Sequence, residues 1–190
     1  MDPNNTDRKV VAVELVSLDG VMEKPEEWAF SYANDETNEV NAAGMAASDT
    51  LLLGRVTYEH LAAYWPNQPA GTPIADHINS VHKFVVSETL GTPLRWNNAT
   101  LIEGGVSEGI AELKRQPGKD ITILGSGALV RTLLGYGLLD ELRLTVHPLI
   151  LGRGKRLFEG GQDGTNLELM GSKTFVSGVV ALAYRPSATE

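Results

Sequence analysis

The sequence predicts an α/β fold in which a mixed, mainly parallel central sheet carries flanking helices and ends in antiparallel strands. Three observations lead there. Residues 10–16 (VVAVELV) form a nearly continuous apolar, β-branched run of the kind found in strands buried on both faces. Apolar runs at 51–53 and 120–124 each break at a glycine into a helical pattern. From Glu141 the pattern changes to alternation, with Leu142, Leu144 and Val146 against Arg143, Thr145 and His147.

Taken in order, the polar residues 1–8 read as a flexible leader, and 10–16 as a central strand. Asn34 is placed to cap a helix reaching about Ala47, with Val40, Ala43 and Ala47 at helical spacing and Asp35, Glu36 and Glu39 near the positive end of its dipole. The 51–53 strand runs into Gly54, after which 55–64 is helical and stops before Pro66. Residues 66–73 read as a surface loop, 83–87 as a strand, 100–103 as a weaker strand and 107–115 as a short helix. Strand 120–124 meets Gly125-Ser126-Gly127, which opens a helix whose Leu129, Val130, Leu133 and Leu134 share one face. Residues 152–164 read as a second loop, and Ser177-Gly178 between two valine-rich stretches as a two-residue hairpin turn. All 190 residues are expected to form one domain, with no internal repeat.

Composition narrows the function. The formal net charge of −8, from 16 Lys and Arg against 24 Asp and Glu, disfavours a broad surface for nucleic acid or anionic membrane. The chain has no cysteine, which removes disulfide and thiolate chemistry. Residues 1–6 lack the charged and apolar regions of a secretory signal, and no apolar run approaches the roughly 18 residues of a membrane span, so the expectation is a cytoplasmic protein. His60, His77, His82 and His147 are scattered without metal-ligand spacing, and neither a serine-nucleophile elbow nor a phosphate-binding P-loop is present.

Two strand-to-helix junctions remain as candidate anion sites. At Gly125-Ser126-Gly127 the backbone can approach an anion while the free N–H groups at the start of the following helix face it. Glycine there also serves a simple tight turn. At Gly54-Arg55-Val56-Thr57 a guanidinium and a hydroxyl suit a phosphate, although Arg55 can equally pair with Glu59 one helical turn later. Two such sites in one chain suggest a dinucleotide. Ser87, at a strand end, is a further candidate for its adenosine-ribose end, or a turn former. Ser17-Leu18-Asp19-Gly20 closes the first strand where α/β sheets commonly present ligand-contacting residues, but Asp-Gly is also a favoured turn pair.

These segments, with Leu138-Leu139-Asp140-Glu141-Leu142 and the run from His147-Pro148 through Gly152-Arg153-Gly154-Lys155 to Leu157-Phe158, resemble the dihydrofolate-reductase-like superfamily over nearly the whole chain. The closer likeness is to its branch that includes the C-terminal reductase domain of bacterial riboflavin biosynthesis. The resemblance implies a three-layer fold, NADPH as cofactor, a small-molecule substrate and a homodimer. It implies Arg55 near the 2′-phosphate, Thr57 near the diphosphate, and Gly54 and the Gly125, Ser126, Gly127, Ala128 and Leu129 turn around it. Ser17, Asp19 and Trp28 would lie at the substrate end; no catalytic residue is assigned. The expected function is NADPH-dependent hydride transfer to a small heterocyclic, carbonyl or imine substrate. The alternatives are a catalytically silent nucleotide-binding or assembly protein of the same fold, and a Rossmann-type dehydrogenase, against which Val130 stands where a third glycine would be.

Overall fold

Strand β1 (Val10–Ser17) occupies the middle of the sheet because both its faces can be buried, and everything else is arranged around it. In the computed structural model, which describes residues 8–160 and 164–187, it is followed by β2 (Ser48–Gly54), β3 (His82–Val86), β4 (Ala99–Leu101), β5 (Asp120–Leu124), β6 (Glu141–His147), β7 (Leu167–Thr174) and β8 (Val180–Pro186). The helices are α1 (Asp35–Ala46), α2 (Arg55–Tyr64), α3 (Pro73–Ser80), α4 (Val106–Arg115) and α5 (Gly127–Gly135). One sheet results, in the order β4-β3-β2-β5-β1-β6-β8-β7. Its first six strands are parallel and its last two pairings antiparallel.

Alternation along the strands divides the core in two. Val10, Ala12 and Val16 of β1, with Ile121 and Ile123 of β5, pack under Ile110 and Leu113 of α4 and Leu129, Val130 and Leu133 of α5. On the opposite face Leu51, Leu53 and Val85 meet Tyr58 of α2, Ile78 of α3 and Trp96. Each fully buried aliphatic side chain contributes about 1.5–3 kcal/mol, so the layers are set by these faces rather than by helix propensity. Helix α1 differs: Asn34 caps it through a reciprocal pair with Thr37, yet no residue of it is buried. It stands off the sheet and leaves a hollow beneath.

Several expectations need correction. Arg8, read as part of the leader, is buried and tied to Asp49, to Thr50 Oγ1 at 2.7 Å and to the Lys119 carbonyl at 2.5 Å. Residues 1–7 of that leader, and 161–163 of the 152–164 loop, lie outside the described residues. Helix α3 was not anticipated; Pro73 at its first turn and the buried Ala75 and Ile78 account for it. The hairpin between β7 and β8 has a three-residue turn, because Phe175 N–H bonds the Val179 carbonyl and Gly178, at φ +81°, bonds back to Phe175. Among the described residues no helix is long and apolar enough to cross a membrane.

Candidate functional site

Five of the six parallel strands, β1, β2, β3, β5 and β6, end along one edge at Ser17, Gly54, Val86, Leu124 and His147, next to the candidate residues. Neighbouring β2 and β5 send their chains to opposite faces: β2 into α2, β5 into α5. A crevice opens at such a point of divergence, where open α/β sheets bind their ligands.

Hydrogen bonds stitch the two junctions together. The Gly54 N–H donates to Ser126 Oγ at 2.9 Å, and Ser126 Oγ donates to Thr57 Oγ1 at 2.7 Å. The chain of donors ends on the Thr57 hydroxyl, whose own hydrogen remains free to point outward. The approach at Gly54 is close: a Cβ on it would stand 3.3 Å from Ser126 Oγ, and the serine side chain would have to give way by a few tenths of an ångström. Gly125 and Ser126 both adopt the left-handed conformation, at φ +61° and +65°, which turns the backbone sharply into α5. Gly127 then seats the helix start tightly: a Cβ there would meet Met22 Sδ at 2.5 Å. The N–H groups of Gly127, Ala128 and Leu129 are first-turn donors without helical acceptors.

The other candidates are placed differently. Arg55 lies on the same edge but forms an exposed 3.0 Å ion pair with Glu59. Ser87 Oγ accepts from the Thr89 and Leu90 N–H groups at 3.1 and 3.0 Å and shapes the turn after β3. Asp19 is engaged as a loop clamp, accepting from Ser17 Oγ at 2.7 Å, Leu151 N–H at 3.1 Å and Gly152 N–H at 2.9 Å. The Ser17 hydroxyl and then the Leu151 amide hold its carboxyl well below the usual carboxylate range. Ser17 Oγ also accepts from Val21 N–H, so this end of β1 is strongly braced.

Beneath α1 lies a small, open-mouthed cavity between Leu15 of β1, Thr145 and His147 of β6, and Thr37 and Asn41 of α1. Trp28 stands beside it, its Nε1–H on the Glu23 carbonyl and its ring edge-on to His147 at 5.2 Å. Tyr32 meets the same imidazole at 5.5 Å. Asp35, Glu36 and Glu39, the acidic residues expected on α1, do not line the cavity.

Two residues escaped the sequence reading. His147 was set aside as a lone histidine: the alternating period puts it on the polar face with Arg143 and Thr145, yet it is buried, and only the packing of Trp28 and Tyr32 against it accounts for that. Glu14, a single acid in VVAVELV, is 1% exposed and its Oε1 has no partner. Burial pushes its carboxyl up to about 8. The lone charge in a doubly buried strand was the available signal.

A family model, the RibD C-terminal domain, matches residues 8–181. The chain belongs to this family. It is 32% identical over 194 residues to the uncharacterised protein YyaP of Bacillus subtilis strain 168, covering 97% of this chain and 98% of that one. A solved structure from Shewanella sp. PV-4, provisionally described as a riboflavin biosynthesis protein, aligns with TM-score 0.74 at 22% identity, over 94% of this chain and 99% of the other. Dihydrofolate reductase from Enterococcus faecalis, solved with NADP(H), aligns with TM-score 0.61 at 15% identity over 94% and 96% of the two chains. The expected dihydrofolate-reductase-like fold is therefore the observed one, and this RibD C-terminal domain protein stands among reductase-like proteins.

Proposed function

We propose that the protein is an NADPH-dependent reductase acting on a small heterocyclic, carbonyl or imine substrate. The observation that supports it best is the Gly54–Ser126–Thr57 hydrogen-bond chain at the β2–β5 divergence, which brings the two candidate anion-binding junctions into one crevice. The residues present fit a dinucleotide. The first-turn N–H groups of α5 and the Thr57 hydroxyl offer donors for a diphosphate, and the close approach at Gly54 leaves no side chain between them. Bound there, NADPH would supply the hydride. Arg55 would take the 2′-phosphate, giving up an exposed ion pair worth only about 0.3–0.5 kcal/mol. The cavity beneath α1, at the same sheet edge, would hold the acceptor, with Trp28 against its wall. Ser17 and Asp19 would keep the end of β1 rigid between the two.

Titration of Arg55→Ala with both cofactors tests this. A charge-assisted contact contributes about 1.5–3 kcal/mol, so NADPH affinity should fall about 10- to 100-fold with NADH affinity unchanged. Equal weakening of both, or a wild-type protein that binds neither, overturns the reading.

One observation favours a second reading, binding without turnover: among the described residues no carboxylate lines the cavity to pass a proton. Cofactor binding with no substrate-dependent oxidation across carbonyl and heterocyclic acceptors would establish it. The proposal extends to a cytoplasmic homodimer, supported by the edge strand β7, which exposes Leu169 and Met170 beside unpaired backbone groups. Light scattering should give twice the chain mass of 20.5 kDa; a monomer would remove this part.

A further inference from the structure

We infer that His147 is the polar anchor of the cavity under α1, its Nε2 accepting a hydrogen bond from an N–H or O–H group of an uncharged planar substrate. The inference rests on reading that cavity as the substrate site.

The tautomer follows from the backbone. His147 Nδ1 lies 3.0 Å from the Thr145 carbonyl and 3.3 Å from the Val16 carbonyl, and both are acceptors, so Nδ1 must carry the hydrogen. Nε2 therefore keeps its lone pair. The imidazole is 4% exposed, yet Nε2 has no hydrogen-bond partner among the described residues, and it lies on the side of the ring away from the two strands. The imidazole lines the cavity. Burial also lowers the basicity of the ring, which keeps Nε2 an acceptor rather than a cation.

The surroundings set the class of molecule. Trp28 and Tyr32 meet the imidazole edge-on at 5.2 and 5.5 Å and hold its plane, so the acceptor direction is fixed. Thr37, Asn41 and Thr145 bring further neutral donors and acceptors to the same walls. Among the described residues no Asp, Glu, Lys or Arg side chain lines the cavity. Glu36 of α1 and Lys173 of β7 neutralise each other at 3.2 Å, with Lys173 lying 5.0 Å over the Phe175 ring of the wall. A phosphate or carboxylate placed beside His147 would find no counter-charge, and a cation no carboxylate, whereas a neutral ring with one donor gives His147 Nε2 a partner.

Binding without cofactor provides the test. The probes are 2-pyridone, which is planar and neutral with a ring N–H; N-methyl-2-pyridone, which lacks the donor; and 6-hydroxynicotinate, which adds a carboxylate. Affinities are read by ligand-observed NMR, and the His147 imidazole by its 15N shifts. Wild-type protein should favour 2-pyridone about tenfold over both analogues, with the Nε2 resonance moving and Nδ1 unmoved. His147→Phe should abolish the preference, while His147→Gln, which keeps an acceptor, should retain part of it. Equal affinities, an unmoved Nε2 resonance, or no binding of any probe would overturn the inference. Because no cofactor is present, selective 2-pyridone binding in a protein that ignores NADPH would leave the anchor standing and remove the reductase reading. NADPH binding without probe selectivity would do the reverse.

Discussion

Raising the pH from 5 to 7 is expected to remove on the order of 3 kcal/mol of stability through Glu14 alone, and Glu14→Gln is expected to abolish that part of the slope. The folded carboxyl titrates near 8 and the unfolded one near 4.5, so between these values the native state holds a proton that the unfolded chain releases. Stability from this group is complete below pH 4.5 and declines by about 1.4 kcal/mol per unit as pH rises toward 8. The cause is position: Glu14 pairs in register with Leu144 and shares a face with Ala12 and Val16, so it has no water and no partner for Oε1. Glutamine keeps the shape and cannot ionise. It leaves its own buried amide costing about 1–3 kcal/mol at every pH, so the readout is the slope of denaturant-unfolding free energy against pH. Identical slopes for the two proteins would show that Glu14 finds compensation on ionising.

Gly125→Val is expected to weaken NADPH binding by at least tenfold and to cost about 2 kcal/mol of stability. At φ +61° a Cβ crowds the following carbonyl, a penalty of about 1–2 kcal/mol that branching at Cβ increases. A Cβ alone would sit in ordinary contact with Thr57 Cγ2 at 3.5 Å, but the added methyl groups of valine have to displace Thr57 and with it the link to Ser126. Strain and cofactor loss can be separated with Gly137→Val. Gly137 has φ +65° and open space around its Cβ position, just past the far end of α5. That variant should lose stability while binding NADPH as the wild type does. If both variants bind alike, the Gly125 turn is no part of the cofactor site.

How much of this molecule its linear order reveals differs from feature to feature. The strand at Val10–Ser17, the helices opened by Asn34, Gly54 and Gly127, and the alternating strand at Glu141–His147 were all legible, because apolar period and capping are local properties that survive in the folded chain. The landmark segments also pointed to the family that the 8–181 match identifies. Helix α3 was less visible, since eight residues with only Ala75 and Ile78 buried make a weak periodic signal. The uses of side chains were hidden further still. Arg55 next to Glu59 was a local alternative that the fold took up, whereas Asp19 meets Leu151 and Gly152, and His147 meets Val16, across more than 130 positions of sequence. No local pattern can encode such meetings. They come from the sheet order, which inserts β5 between β2 and β1 and lays β6 beside β1, and from a helix α1 held far enough off the sheet to leave a cavity. Periodicity thus decided which faces are buried; which polar groups remain to act at the strand edge was decided only when those faces came together.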